Sequence, residues 1–322
     1  MENSRSLRIR SKAHRSRFRF FREIFKNRVL YLMTLPAIIL FFLFNYLSMF
    51  GILIAFKSYK FSDGILGSKW VTPIYRNFEF FFQSEYFVRV TRNTLVLNFS
   101  FIVFGALFAV AFAIILNEIG NALLKRVLQI GMLLPSFISW IVVGVFVYSF
   151  LNVNYGVVNS ILGLFNIEPV NWYGSEKPWT VIFILINIWK TAGYNSIIYL
   201  ASITGIDTAL FEAAEIDGAS KAQQIRFITI PLLLPTVTML MLLAIGRIMN
   251  ADFGMFYSIV GENPMLYPRA DVIDTFIYRT LRRIGDVGMS SAAGFYQSVL
   301  GFLLVLICNQ LARKFQEEGS LF

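Results

Sequence analysis

The chain has 322 residues, 57% of them hydrophobic and 15% charged, with 34 Phe, one Cys, one His and a mean hydropathy of +0.63. Soluble domains carry about 25% charged residues, so too little polar surface is present to coat a globule. Cys308 alone excludes a disulfide scaffold, and His14 alone removes most metal sites and histidine acid–base chemistry.

The net charge of +10 is uneven: residues 1–28 hold ten Lys/Arg against two Glu, a net +8, and the remainder of the chain carries only +2. This tail runs straight into an apolar segment, where a cytoplasmic anchor on anionic lipid is a simpler reading than a nucleic-acid arm. No nucleic-acid partner is expected.

A helix needs about 20 apolar residues to cross the hydrocarbon core. Six segments qualify, in chain order: 29–56, 94–116, 127–150, 179–203 with Lys190 inside it, 230–250 with Arg247 inside it, and 295–311. The first is too long for a signal-peptide core and lacks a small-residue cleavage site at its end. The expected fold is all-α, a polytopic membrane protein with a basic cytoplasmic tail (1–28) and one six-span domain (29–322). Six spans put both termini on one side, and the tail beside the first span sets that side as cytoplasmic. The tail, Lys125, Arg126, Lys221, Arg226, Arg313 and Lys314 then lie inside.

Two outer loops are long. Residues 57–93 carry the run Phe78, Phe80, Phe81, Phe82. Residues 271–284 place Val272, Ile273, Phe276, Ile277, Leu281 and Ile284 at helical spacing, which predicts a short helix lying on the outer surface.

The inner loop at about 205–229 carries the most information. Residues 208–217 are rich in helix formers, and Gly218 can close a helix in the left-handed region. Ser220 with Gln223 forms a capping-box pattern that starts a second short helix. Pro231 and Pro235 sit where the fifth span is expected to begin its first turns. Ala213 and Ala214 are small enough for close approach, and Glu212 and Asp217 can cap or pair. A helical knob below the bilayer suits a cytoplasmic partner; an ordinary amphipathic loop is the other reading.

This loop resembles the EAA motif of permease subunits of binding-protein-dependent ATP-binding-cassette importers. Glu212, Ala213, Ala214, Gly218, Ile228 and Pro231 fall at the motif's spacing, with Ile230 in place of its usual Leu. Residues 214–219 resemble the carbohydrate branch, as do Asn93-Thr94 and Asn77-Phe78. Residues 272–279 resemble its polysaccharide and lipo-oligosaccharide type. The resemblance covers nearly the whole chain after the tail. It implies a bacterial cytoplasmic-membrane permease that imports an oligosaccharide or polysaccharide and has no enzymatic activity of its own. Its partners would be a second, different six-span permease, two ATPase subunits that carry ATP and Mg, and an extracytoplasmic solute-binding protein. The coupling helices would be Glu212 to Gly218 and the segment up to Pro231. No Gly-x-x-x-x-Gly-Lys-[Ser/Thr] phosphate loop occurs, so no cofactor is expected on this chain.

Polar residues within spans are the candidate path. Asn187, Lys190 and Tyr194 share a face by three- and four-residue spacing, with Asn195 beside them and Trp189 and Trp140 as aromatic faces for sugar rings. The competing reading gives Lys190 a partner-chain carboxylate or backbone carbonyls. Arg247 and Asn250, near the outer end of span five, either contact substrate or anchor the interface, with Asp252 as a pairing partner for Arg247. Cys308, Ser136 and Ser139 read as packing or helix-bonding residues. A membrane enzyme is disfavoured because Glu262, Asp271 and Asp274 show no catalytic spacing. An ion-driven transporter is disfavoured because no predicted span contains Asp or Glu.

Overall fold

A computed structural model describes residues 26–315, so most of the basic tail lies outside the described residues. The described chain is helical, without a strand beyond one isolated bridge between Lys57 and Trp70. We number the helices in chain order. The long ones are α1 (Arg28–Phe56), α3 (Glu85–Glu118), α4 (Ala122–Phe137), α5 (Trp140–Leu151), α7 (Trp179–Thr204), α9 (Lys221–Ile245) and α12 (Val287–Phe315). Shorter helices join them: α2 (Arg76–Phe82), α6 (Val157–Leu164), α8 (Thr208–Ile216), α10 (Phe253–Val260) and α11 (Ile273–Arg279).

Five helices are individually long and apolar enough to cross a bilayer, and six spans result if α4 and α5 are one broken span. α1 is apolar around its whole circumference and leaves residues 28–50 exposed, as expected for a helix surrounded by lipid or by another chain. Only its C-terminal end is packed, where Phe56 meets Phe78 and Phe295 at centroid distances of 5.2 and 5.5 Å. Asn77 donates to the carbonyls of Ala55 (2.9 Å) and Lys57 (3.2 Å), so the Asn77-Phe78 pair fastens the first span's exit.

α3 and α7 form the central pair. Ala109 and Ala113 lie four residues apart and are buried against Tyr199, Leu200 and Ile203, small side chains that let the two helices pack closely. Gly193 brings α7 onto α4: a Cβ there would lie 2.0 Å from the Met132 carbonyl oxygen. Gly193→Val therefore forces the two helices apart. We expect a destabilisation of about 3 kcal/mol, read as a lower melting temperature of the detergent-solubilised protein; an unchanged melting temperature would refute the close approach.

Four expectations are corrected. The third span is not one helix: α4 and α5 meet at a 98° bend. The chain leaves the helix at Ile138 (ψ 131°), Pro135 lies in the last turn of α4, and Ser139 caps α5 by accepting from the Val142 N–H at 3.4 Å. Second, α9 begins at Lys221, so the expected second short helix is continuous with the fifth span. A π-helical turn at Ile225–Thr229 precedes Pro231, and in it the Ile230 N–H donates five residues back to the Ile225 carbonyl, just before the proline that can donate nothing. Third, only the end of 271–284 lies on the surface: Asp271, Val272, Ile273 and Phe276 are all at most 1% exposed, whereas residues 281–284 are exposed. Finally, span boundaries shift, because α3 starts at Glu85, α9 ends at Ile245 and α12 starts at Val287.

Candidate functional site

The inner loop is built as a rigid projection. Asp207 caps α8, its carboxylate accepting from the Ala209 N–H at 3.0 Å. The far end closes with two crossed hydrogen bonds, Ala219 N–H to the Ala214 carbonyl (2.9 Å) and Gly218 N–H to the Glu215 carbonyl (3.1 Å). This terminator needs a left-handed residue, and Gly218 supplies it at φ +80°. The four-residue spacing from Ala214 to Gly218 is thus the geometry of that cap. Ser220 and Gln223 then make a reciprocal capping box that starts α9. Glu212, Ala213, Asp217 and Pro231 are exposed; Ala214 and Ile228 are half-buried. Ile216 is 87% exposed and Phe227 67% exposed. Exposed Glu212, Glu215 and Asp217 keep this segment out of hydrocarbon, so its apolar residues face a protein partner or water.

At mid-depth, the span polar residues separate. Asn187 and Asn195 line a cavity of about 320 Å³ between α3, α7 and α9, together with Thr191, whose hydroxyl donates to the Asn187 carbonyl at 2.8 Å. Lys190 does not join them. It is 8% exposed and points at the α4–α5 bend, where its ammonium donates to the carbonyls of Pro135 (3.2 Å), Ser136 (3.3 Å) and Ile138. Three ammonium donors meet three carbonyls left over by the helix end, and a cation is favoured at that end of the helix dipole. The Trp140 ring lies 4.9 Å from the same nitrogen. Trp140 Nε1 donates in turn to Asp252 at 2.6 Å, and Asp252 caps α10 by accepting from the Met255 N–H at 3.1 Å. Tyr194 and Trp189 are exposed. Arg247 and Asn250 are exposed in the turns after α9, and among the described residues Arg247 forms no ion pair with Asp252.

A second polar centre, at the end opposite α8, is one that sequence reasoning does not assemble. Asp271 is 1% exposed and receives two guanidinium groups, Arg89 at 3.0 Å and Arg279 bidentately at 3.0 and 2.7 Å. Asn93 donates to the Asp271 carbonyl at 3.0 Å, and the Thr94 hydroxyl accepts from the Ile273 N–H at 3.0 Å. Asn98 donates to the Ile248 carbonyl at 2.7 Å, and Gln297 to the Met249 carbonyl at 2.7 Å. Asn93-Thr94 therefore stitches α3 to the buried 267–273 segment. Asp274 accepts from the Ala251 N–H at 2.9 Å and from Gln297 at 3.1 Å, and burial pushes its carboxyl above the usual carboxylate range. Both aspartates hold loops together, a structural use.

Residues 87–317 match the family described as binding-protein-dependent transport system inner membrane component. The chain belongs to that family. The permease is 36% identical over 300 residues to the polygalacturonan/rhamnogalacturonan transport system permease protein YteP of Bacillus subtilis, covering 92% of this chain and 91% of that one. It is 33% identical over 294 residues to the protein LplB of the same organism, covering 91% of each. Its fold superposes on a chain of a bacterial ABC transporter involved in the import of the acidic polysaccharide alginate, with TM-score 0.84, 34% identity, and coverage of 92% of this chain and 99% of that one. A second match, TM-score 0.82 at 34% identity, is the alginate transporter in complex with its alginate pentasaccharide-bound periplasmic protein, covering 91% of this chain and 97% of that one. The permease is thus a multi-pass inner-membrane component of a binding-protein-dependent ABC importer, a transport role rather than an enzymatic one.

Proposed function

We propose that the permease forms half of the path by which an oligosaccharide or polysaccharide enters the cell, with a second, different six-span permease forming the other half. The carrying observation is the identity, across more than nine-tenths of the chain, to a polygalacturonan/rhamnogalacturonan permease and to a chain of an alginate importer. α8 seats in a cleft on one of two ATPase subunits, which bind ATP and Mg, and both termini are cytoplasmic. The closed, exposed geometry of α8, with Glu212, Ala213 and Ala214 followed by the Gly218 cap, supports this role. A solute-binding protein delivers substrate at the opposite end, and Asn187 and Asn195 meet sugar hydroxyls within the membrane. Arg247 and Asn250 stand exposed at the outer end of α9, where arriving substrate reaches them. The elbow network supports a positioning role for Lys190 through α4 and α5.

The test is affinity purification of the tagged permease from its native membrane in mild detergent, with mass spectrometry of what accompanies it. The expected result is an ATP-binding-cassette ATPase at two copies and one further EAA-bearing permease. Recovery of the chain alone, or only with itself, would remove the coupling role and the hetero-pair.

A further inference from the structure

A crevice between α10 and α11, of about 270 Å³, lies at the end of the molecule opposite α8. Its lining combines two chemistries. Tyr257 and Tyr278 pack edge-to-face at 5.1 Å, and Tyr267 lies 4.4 Å beneath the Arg279 guanidinium. Arg279, Arg282 and Arg283 face Asp271 and Glu262 across the same space. The carboxylates are already engaged: Asp271 by Arg279 and Arg89, and Glu262 by Arg283. Among the described residues Arg282 has no carboxylate partner and is exposed. The three lining arginines against two carboxylates leave a net +1, and Arg89 behind Asp271 adds another positive charge. Beside Arg282, the Tyr278 phenol is pulled below its ordinary value, first by hydrogen bonding to Tyr257 and then by Arg282.

A crevice that sets tyrosine rings beside a guanidinium held by the Tyr278 phenol but paired with no carboxylate is suited to a sugar ring that bears a carboxylate. The ring stacks on the aromatic faces, and the fork-shaped cation donates to both carboxylate oxygens. The volume holds a single sugar unit rather than a chain. We infer that this crevice is an entry subsite for one uronate unit of an acidic saccharide, with Arg282 as its carboxylate anchor and Tyr257 and Tyr278 as its stacking floor. This rests on the saccharide-import reading above. It extends that reading by naming the charge class and by placing first contact outside the span cavity at Asn187.

The experiment uses the whole assembly, purified with its co-purifying subunits into phosphatidylcholine nanodiscs so that no anionic headgroup competes. Trigalacturonate, trimannuronate and the methyl ester of trigalacturonate are titrated calorimetrically against the parent and the variants R282M and R282K. At least one triuronate should bind the parent and lose about tenfold in affinity in R282M, the magnitude of one charge-assisted hydrogen bond. R282K should recover part of that loss, and the methyl ester should bind the parent about tenfold more weakly than the acid. Equal triuronate affinity in R282M, or a methyl ester that binds like the acid, overturns the subsite. So does an R282M assembly that loses its solute-binding protein with no saccharide present, because the surface would then be a protein dock. ATPase stimulation by binding-protein-delivered maltotriose separates the two levels: stimulation by the neutral sugar but no triuronate binding overturns the uronate subsite alone. No stimulation by any of these saccharides removes the saccharide reading itself.

Discussion

Lys190→Met is expected to lower the thermal stability of the solubilised permease and, with it, uptake by the assembled importer. The side chain fits the volume, so the change is almost purely the loss of the ammonium. Three carbonyls at the broken end of α4, Pro135, Ser136 and Ile138, lose their donor in a place that water does not readily reach. Hydrogen bonds from a charged group contribute about 1.5–3 kcal/mol each, and the pieces relax partly, so the expected net loss is about 3 kcal/mol. The consequence should travel along named contacts. Trp140 loses the cation 4.9 Å from its ring, its hydrogen bond to Asp252 loosens, and the cap of α10 follows. Hydrogen–deuterium exchange at residues 135–142 and 252–256 should therefore rise together. If exchange and melting temperature stay at parental values while saccharide uptake collapses, Lys190 acts in the path directly. If all three are unchanged, neither role survives.

Local patterns encode some parts of this molecule and leave others to packing. The spans are legible because crossing hydrocarbon demands a long apolar run, which no tertiary contact can disguise. α8 and the start of α9 are legible because their ends are local devices: Asp207 and Gly218 bound α8, Ser220 and Gln223 open α9, and each acts within a few residues. The bend inside the third span is harder to read because both sides of it are equally apolar. Pro135 and Ser139 do mark it, as a late proline and an N-cap, but hydropathy alone runs across them. The destination of Lys190 is a property of α4, more than fifty positions earlier, and helical spacing on α7 cannot reveal it. Spacing puts Lys190 on a face with Asn187; packing turns it to the neighbouring helix instead. Residues 271–284 repeat the lesson. Their period is right, but the first half is buried rather than superficial, because the charge of Asp271 is neutralised not by water but by Arg279 eight positions on and Arg89 from 182 positions away. Asn93-Thr94 stands out in the sequence only as a family resemblance, and the structure supplies its physics: two polar side chains that dock a distant buried loop.

Ala213→Trp should uncouple the importer while leaving the permease itself intact in the membrane. Ala213 is exposed on α8, so an indole there disturbs nothing within the chain. It would instead stand between α8 and the ATPase cleft, where disrupting a central anchor of a protein interface costs about 2 kcal/mol or more, roughly thirtyfold in docking equilibrium. Binding-protein-stimulated ATP hydrolysis and uptake should fall together by that order, with the permease still present at parental level by immunoblot. Gly218→Val should reach the same end by another route. Its φ of +80° is one that β-branched residues avoid, at a cost of about 1–2 kcal/mol, so the two crossed hydrogen bonds to Ala214 and Glu215 open and α8 frays. The pair separates surface from shape. Tryptophan at 213 blocks a well-formed projection, whereas valine at 218 deforms an unblocked one, and Gly218→Asn, which tolerates the left-handed region, should restore most of the activity that valine loses. Parental stimulation in Ala213→Trp would show that this face of α8 touches no ATPase. Parental stimulation in Gly218→Val would show that the cap's geometry is immaterial to force transfer.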